Sequence, residues 1–183
     1  MTTERTLKYI VFTATILLLY SCGTGMSLSK KDFSPIDKKC KGLFENKSSL
    51  TKGRHYSSSQ PTILDFFELY KIDADSIHFH FDSDDKLILT FNDSLRLRTE
   101  KFDGKFRGRG YYEIFIRNYK KEIPPLFPII YSTRDIKRLR LGLTNDNNLV
   151  IDNKWARDGN ILLFGGGGGE RYTSYFRQIS KGQ

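Results

Sequence analysis

Residues 76–98 read SIHFHFDSDDKLILTFNDSLRLR, and their alternation decides the fold. Ile77, Phe79 and Phe81 fall on one side of an extended chain, with His78, His80 and Asp82 on the other. Asp84-Asp85 supplies a turn, and Leu87, Leu89 and Phe91 then repeat the apolar face. Asn92-Asp93 turns again, so Leu95 and Leu97 are expected to face in and Arg96 and Arg98 out. A period of two over three successive segments joined by short polar turns predicts antiparallel neighbours.

Outward from this stretch the pattern continues. Gly104 and Gly108-Arg-Gly110 break the next ribbon, and Tyr112, Ile114 and Ile116 resume it. Further strands are expected at 129–131, 137–143, 149–153, 161–164 and 172–179. Asn145-Asp-Asn-Asn148 and Asp158-Gly-Asn160 offer hairpin turns between the late ones. Upstream, Gly42 to Asn46 reads as a first strand. One short helix of about nine residues is expected near the N-terminus: Thr62 caps it with Asp65, Pro61 precedes it, and Ile63, Phe67 and Tyr70 recur at helical spacing. The fold class is mainly β, a meander of nine or ten strands forming a barrel or a sandwich, because an open sheet of that size leaves two sticky edges.

The first residues carry a different signal. Arg5 and Lys8 precede an apolar run from Tyr9 to Tyr20, twelve residues that as a helix would rise about 18 Å against a hydrocarbon core of roughly 30 Å. That is the length of an export signal, not of a spanning helix. The run ends in Leu19-Tyr-Ser-Cys22-Gly23, which resembles the lipobox of bacterial lipoproteins, with Tyr20 departing from the small residue usual there. The resemblance implies cleavage before Cys22, lipid on its sulfur and new N-terminus, and an anchor in the cell envelope, at the outer membrane. An ordinary secretory cut after Gly23 is the alternative. The expected organisation is a signal peptide at 1–21, a flexible Ser/Lys/Gly-rich tether at 22–40 and one β-domain at 41–183. Lipidation leaves Cys40 as the one free thiol, read as a small buried hydrophobe.

The order of strand, short helix and meander resembles that of lipocalin-like small barrels. Gly42-Leu-Phe44 stands where that family opens with Gly-x-Trp, and Arg177 stands where its late arginine stacks across the aromatic. The resemblance implies barrel closure through Phe44 and Arg177. A lipobox, a basic β-domain and the Pro124-Pro-Leu-Phe-Pro128 turn are also similar to small uncharacterised outer-membrane lipoproteins, which carry no assigned chemistry.

No catalytic constellation is visible: there is no Gly-x-Ser-x-Gly elbow, no paired cysteines and no His-Glu-x-x-His. His78 and His80 have the spacing for one metal, with Asp82 or His55 as third ligand. The plainer reading, a polar strand face, is preferred, and neither metal nor cofactor is expected. Gly165 to Gly169 lacks the Lys-Ser/Thr and helix of a phosphate loop and reads as a mobile hairpin loop. Charge is more informative. The chain carries net +9, and the surplus concentrates in residues 94–140, with 13 basic and 5 acidic side chains. Arg96 and Arg98, with Arg138 and Arg140, are candidates for docking an anionic partner. Export argues against nucleic acid. The expected function is non-catalytic binding of a small apolar or amphipathic ligand in a barrel cleft. The alternative is interaction with an acidic protein surface, as in an immunity-type lipoprotein.

Overall fold

The computed structural model describes residues 32–55, 59–94, 96–123, 131–161 and 164–179. The signal segment, Cys22 and the Pro124–Pro128 turn lie outside the described residues. Along the chain come β1 (Phe33–Ser34), β2 (Lys41–Glu45), β3 (Leu50–Arg54), the helical turn α1 (Ile63–Phe66), β4 (Ser76–Phe81), β5 (Leu87–Asp93) and β6 (Arg96–Phe102). β7 (Gly104–Arg107), β8 (Tyr111–Ile123), β9 (Tyr131–Thr144), β10 (Leu149–Ile161) and β11 (Phe164–Phe176) follow.

These strands form two antiparallel sheets. One runs β2-β4-β5-β6; the other runs β3-β11-β10-β9-β8-β7, with β1 added to β9. The chain changes sheet at Asp103, between β6 and β7. The expected barrel does not form among the described residues: the sheets face each other across a solid apolar core instead of curling around a lumen. Ile77, Phe79, Leu87 and Leu89 from the smaller sheet meet Tyr112, Ile114, Leu139, Leu141 and Ile151 from the larger, all 2% exposed or less. Aromatic rings bridge the sheets, with Phe81 4.8 Å from both Phe106 and Tyr112. Among the described residues, side chains from both sheets pack against one another here as one apolar cluster. Truncating a ring such as Phe79 to alanine would cost about 3–5 kcal/mol.

The two sheets differ in strand length, and that difference positions the site. β8, β10 and β11 have 13 residues each and β9 has 14, so at about 3.3 Å per residue they reach some 43 Å. β4 to β6 have six or seven residues. Half of the long ribbon therefore overhangs the small sheet.

Several local expectations are corrected. The helix is one turn, because Glu68 takes a left-handed φ of 61° and ends it. Its capping box is present, with Asp65 N donating to Thr62 Oγ1 at 3.1 Å and Thr62 N to Asp65 Oδ2 at 2.8 Å. The segment expected as tether is packed from Phe33 onward: Phe33 and Ser34 pair with Thr144 and Leu143, and Ile36 is buried. On β6 the phase is reversed, since Arg98 lies opposite the buried Phe91 while Leu97 is 68% exposed. Arg98 sits 5.9 Å over the Phe91 ring and reaches Asp93 and Glu100, so an inward charge guards this edge strand. Asp158-Gly-Asn160 is paired within a ladder near its end, not a turn, and Gly165–Gly169 is strand, paired residue by residue with Asn160–Ala156.

Candidate functional site

Where the long ribbon leaves the small sheet, its inner face turns from apolar to polar. On β9, Leu141 and Leu139 give way to Lys137 and Asp135; on β10, Leu149 and Ile151 give way to Asn153 and Trp155. Register places Arg117, Lys137, Trp155 and Glu170 in one row across β8 to β11, and Asn153 beside Tyr172 in the next. A bulge between Phe115 and Arg117 makes Arg117, not Ile116, the residue opposite Lys137. Bulges re-aim side chains in this way beside functional sites. The turn α1, His55, Ser59, Pro61 and Tyr70 close the other side, leaving a cleft of about 330 Å³.

The charged groups of this cleft are tied together. Asp135 accepts from Arg117 at 2.9 Å and from the Trp155 indole at 3.1 Å. Glu68 bridges Arg117 at 3.0 Å and Lys137 at 3.2 Å. The Arg117 guanidinium also lies 5.8 Å over the Trp155 ring, an attractive placement. Burial pushes the Lys137 ammonium below the usual lysine range, and Glu68 opposes that shift. Burial, with Glu170 and Asp65 adding repulsion, pushes the Tyr172 phenol up, so it stays a neutral donor.

Against this closed network stand four buried atoms with no hydrogen-bond partner among the described residues: Asn153 Oδ1, Arg117 Nε, and both ring nitrogens of His55. Asn153 is only 2% exposed. The His55 ring lies 4.4 Å from the Tyr172 ring. Leaving one such group unpaired costs about 1–3 kcal/mol, so the cleft is an aromatic-walled pocket whose polar atoms call for partners from outside. Its two cations, Arg117 and Lys137, are matched by Asp135 and Glu68, which suits an occupant with donors, acceptors and an apolar face.

Most residues singled out in the sequence lie elsewhere. Phe44 is buried and meets Phe79 edge-on at 6.0 Å. Arg177 adjoins β2 through its backbone, Glu45 N donating to its carbonyl at 2.9 Å, and is itself exposed, so the two do not stack. The four arginines do not form one patch. Arg96 and Arg98 belong to the small sheet, Arg138 and Arg140 to the large one. Arg140 is 3% exposed, 2.9 Å from Glu113 and over the Tyr111 ring. His78 and His80 have ring centroids 5.2 Å apart. Their proposed third ligands are engaged: Asp82 accepts from the Asp84 and Lys86 amides, and His55 stacks in the cleft. Among the described residues no three His, Cys, Asp or Glu side chains gather. A wider depression of about 590 Å³ beside Asp73, Asp75 and Arg96 contains no buried unpartnered atom among the described residues.

Asn153, Trp155, Arg117 and Tyr172 were missed, although a signal exists. On one face of β9 and of β10, apolar residues are replaced by polar ones midway along an unbroken alternation, which marks where a strand leaves the core. Compared with family models, characterised proteins and solved structures, the chain finds no match in any of the three.

Proposed function

We propose that this is a lipid-anchored envelope protein whose β-domain binds a small amphipathic ligand in the Trp155–Tyr172 cleft and catalyses no reaction. The leader and Cys22 support export and anchoring. With side chains of both sheets packed against one another, the ligand moves from a barrel lumen to the overhanging ribbon. The observation that carries the reading is the convergence of Asn153 Oδ1, Arg117 Nε and the His55 nitrogens, all buried and without partners among the described residues, on one aromatic-walled cleft. Its volume of about 330 Å³ is at the small end of ligand pockets, roughly 300–1,000 Å³. A binding role without chemistry is supported by Arg117 and Lys137 being held by Asp135 and Glu68.

Trp155 is the chain's single tryptophan, so its fluorescence reports the cleft. Protein purified from its own envelope is expected to carry a small molecule in native mass spectrometry, with a fluorescence change on its removal. Trp155→Ala with Asn153→Ala should lose that mass. No adduct, and no fluorescence response to envelope metabolite fractions, would sink the ligand reading. The anchor is tested separately: Cys22→Ala should abolish acyl labelling and leave uncleaved precursor.

A further inference from the structure

The outward face of the larger sheet carries a second arrangement. Leu139 and Leu141 point into the core, so Arg138, Arg140 and Gly142 point away from it. Register sets Arg138 beside Lys154, Lys154 beside Arg171, and Arg171 beside Arg54. Four cations therefore stand in one row across four strands, each strand about 4.8 Å from the next. Like charges directly opposite one another destabilise a sheet. Two neighbouring carboxylates offset the row only in part. Glu113, 3.7 Å from Arg138, is already held by Arg107 at 2.7 Å and Arg140 at 2.9 Å. Asp152 lies 3.7 Å from Arg171 and is buried. Burial and then the nearby Arg140 push the Arg138 guanidinium below its ordinary range. Lys154, Arg171 and Arg54 are exposed.

The place where the chain enters the domain bears on what covers this row. β1 joins the sheet at Thr144 and Leu143, and the Phe33 ring lies on Gly142, where any Cβ would collide with it. Gly142 shares the outward face with Arg138, four residues along β9, or about 14 Å. Ten residues, 23–32, separate Phe33 from Cys22, a reach of at most about 36 Å. A chain anchored at Cys22 thus enters the domain beside this face.

We infer that the outward face of the larger sheet docks on the membrane, with Arg138, Lys154, Arg171 and Arg54 receiving the phosphates of anionic lipid headgroups. The orientation rests on the lipid-anchor reading; the charge row does not. Each cation at an anionic surface contributes about a fivefold gain in partition, and the four stand in one register row on adjacent strands.

The test uses the chain from Gly23 to Gln183, which retains every described residue and carries no lipid. Vesicles of phosphatidylcholine alone are compared with vesicles containing phosphatidylglycerol. Sedimentation with the anionic vesicles only is expected, with loss as salt rises from about 0.1 M to about 1 M and the screening length falls from about 10 Å to about 3 Å. Arg54→Gln with Lys154→Gln, both exposed, should weaken binding by roughly 25-fold with thermal stability retained or raised, since two like charges leave the row. Arg96→Gln on the other sheet should leave it unchanged. Equal partition to both vesicle types, indifference to the double variant, or capture by an acidic protein without vesicle binding would overturn the inference. Because no lipid is attached, these outcomes report on the face alone, whereas acyl labelling of the full chain reports on the anchor alone.

Discussion

Asn153 shows how one residue sets stability against function. It sits on β10 where the next inward residue toward the core is Ile151, buried among leucines and phenylalanines, and where the next outward is Trp155. At 2% exposure, with Oδ1 unpartnered, it is a poor choice for packing, since burying an amide without its hydrogen bond costs about 1–3 kcal/mol. A side chain kept at such a cost is best explained by what it recognises. Asn153→Leu, of similar volume, should therefore raise the stability of the ligand-free protein by about 1 kcal/mol and abolish ligand retention. Urea titration read with native mass spectrometry checks both halves. A loss of stability would mean that the amide is structural after all. Trp155→Phe should behave differently: it keeps the ring but surrenders the indole bond to Asp135, weakening binding without stabilising the fold.

At the scale of elements, the glycine strand is the most informative. Gly165–Gly169 pairs along its whole length with β10, and its positions alternate in what they tolerate. A Cβ at Gly168 meets nothing within 4 Å, whereas one at Gly169 comes within 2.6 Å of the Trp155 carbonyl oxygen. Gly168→Ala should thus be neutral or stabilising by about 0.4–1 kcal/mol through the unfolded chain. Gly169→Ala should destabilise and shift Trp155 emission, because it pushes β11 away from the cleft. Equal effects of the two would contradict the register. That strand also shows where sequence reading stops. Alternation found β4 and β5, since one face of each is buried and a period of two follows from the pleat. It failed on β11, where glycine has no side chain to alternate, and on β6, where the ion pairs of Arg98 and not Leu97 turned inward. It also stopped short at residue 41, because Phe33 and Ile36 are spaced three apart in a polar stretch, the one lying on Gly142 of the outward face and the other reaching the core. The cleft was hidden for a different reason. Arg117, Asn153 and Tyr172 come from three strands, and only the bulge after Phe115 brings the first of them into line.

At the scale of the whole molecule, the buried ionisable groups outside the cleft set a pH window for folding. Glu113 is pushed up by burial, but hydrogen bonds from Arg140 and Arg107 outweigh this and hold it below the ordinary glutamate range. Its folded value is thus depressed, so its contribution is present above the unfolded value of 4.5 and is lost as pH falls through the folded one. The alkaline side is set by neutral groups. Burial, with a smaller push from Asp37, raises Cys40 from 9.0 to about 11. Burial also raises Tyr112 from 10.0 to about 12, while its hydroxyl donates to the Asp85 carbonyl at 2.6 Å. Both folded values lie above the unfolded ones, so the stabilisation is complete below pH 9 and drains away as pH rises from 9 to about 12. The unfolded chain binds fewer protons in that range, which gives the slope its sign. Denaturation midpoints measured from pH 8 to 12 should fall progressively. Cys40→Ala should flatten the earlier part of the decline, and Tyr112→Phe the later part, at a cost of about 1 kcal/mol at neutral pH for the lost hydrogen bond. A decline unchanged by both substitutions would show that neither the Cys40 thiol nor the Tyr112 phenol sets the alkaline limit.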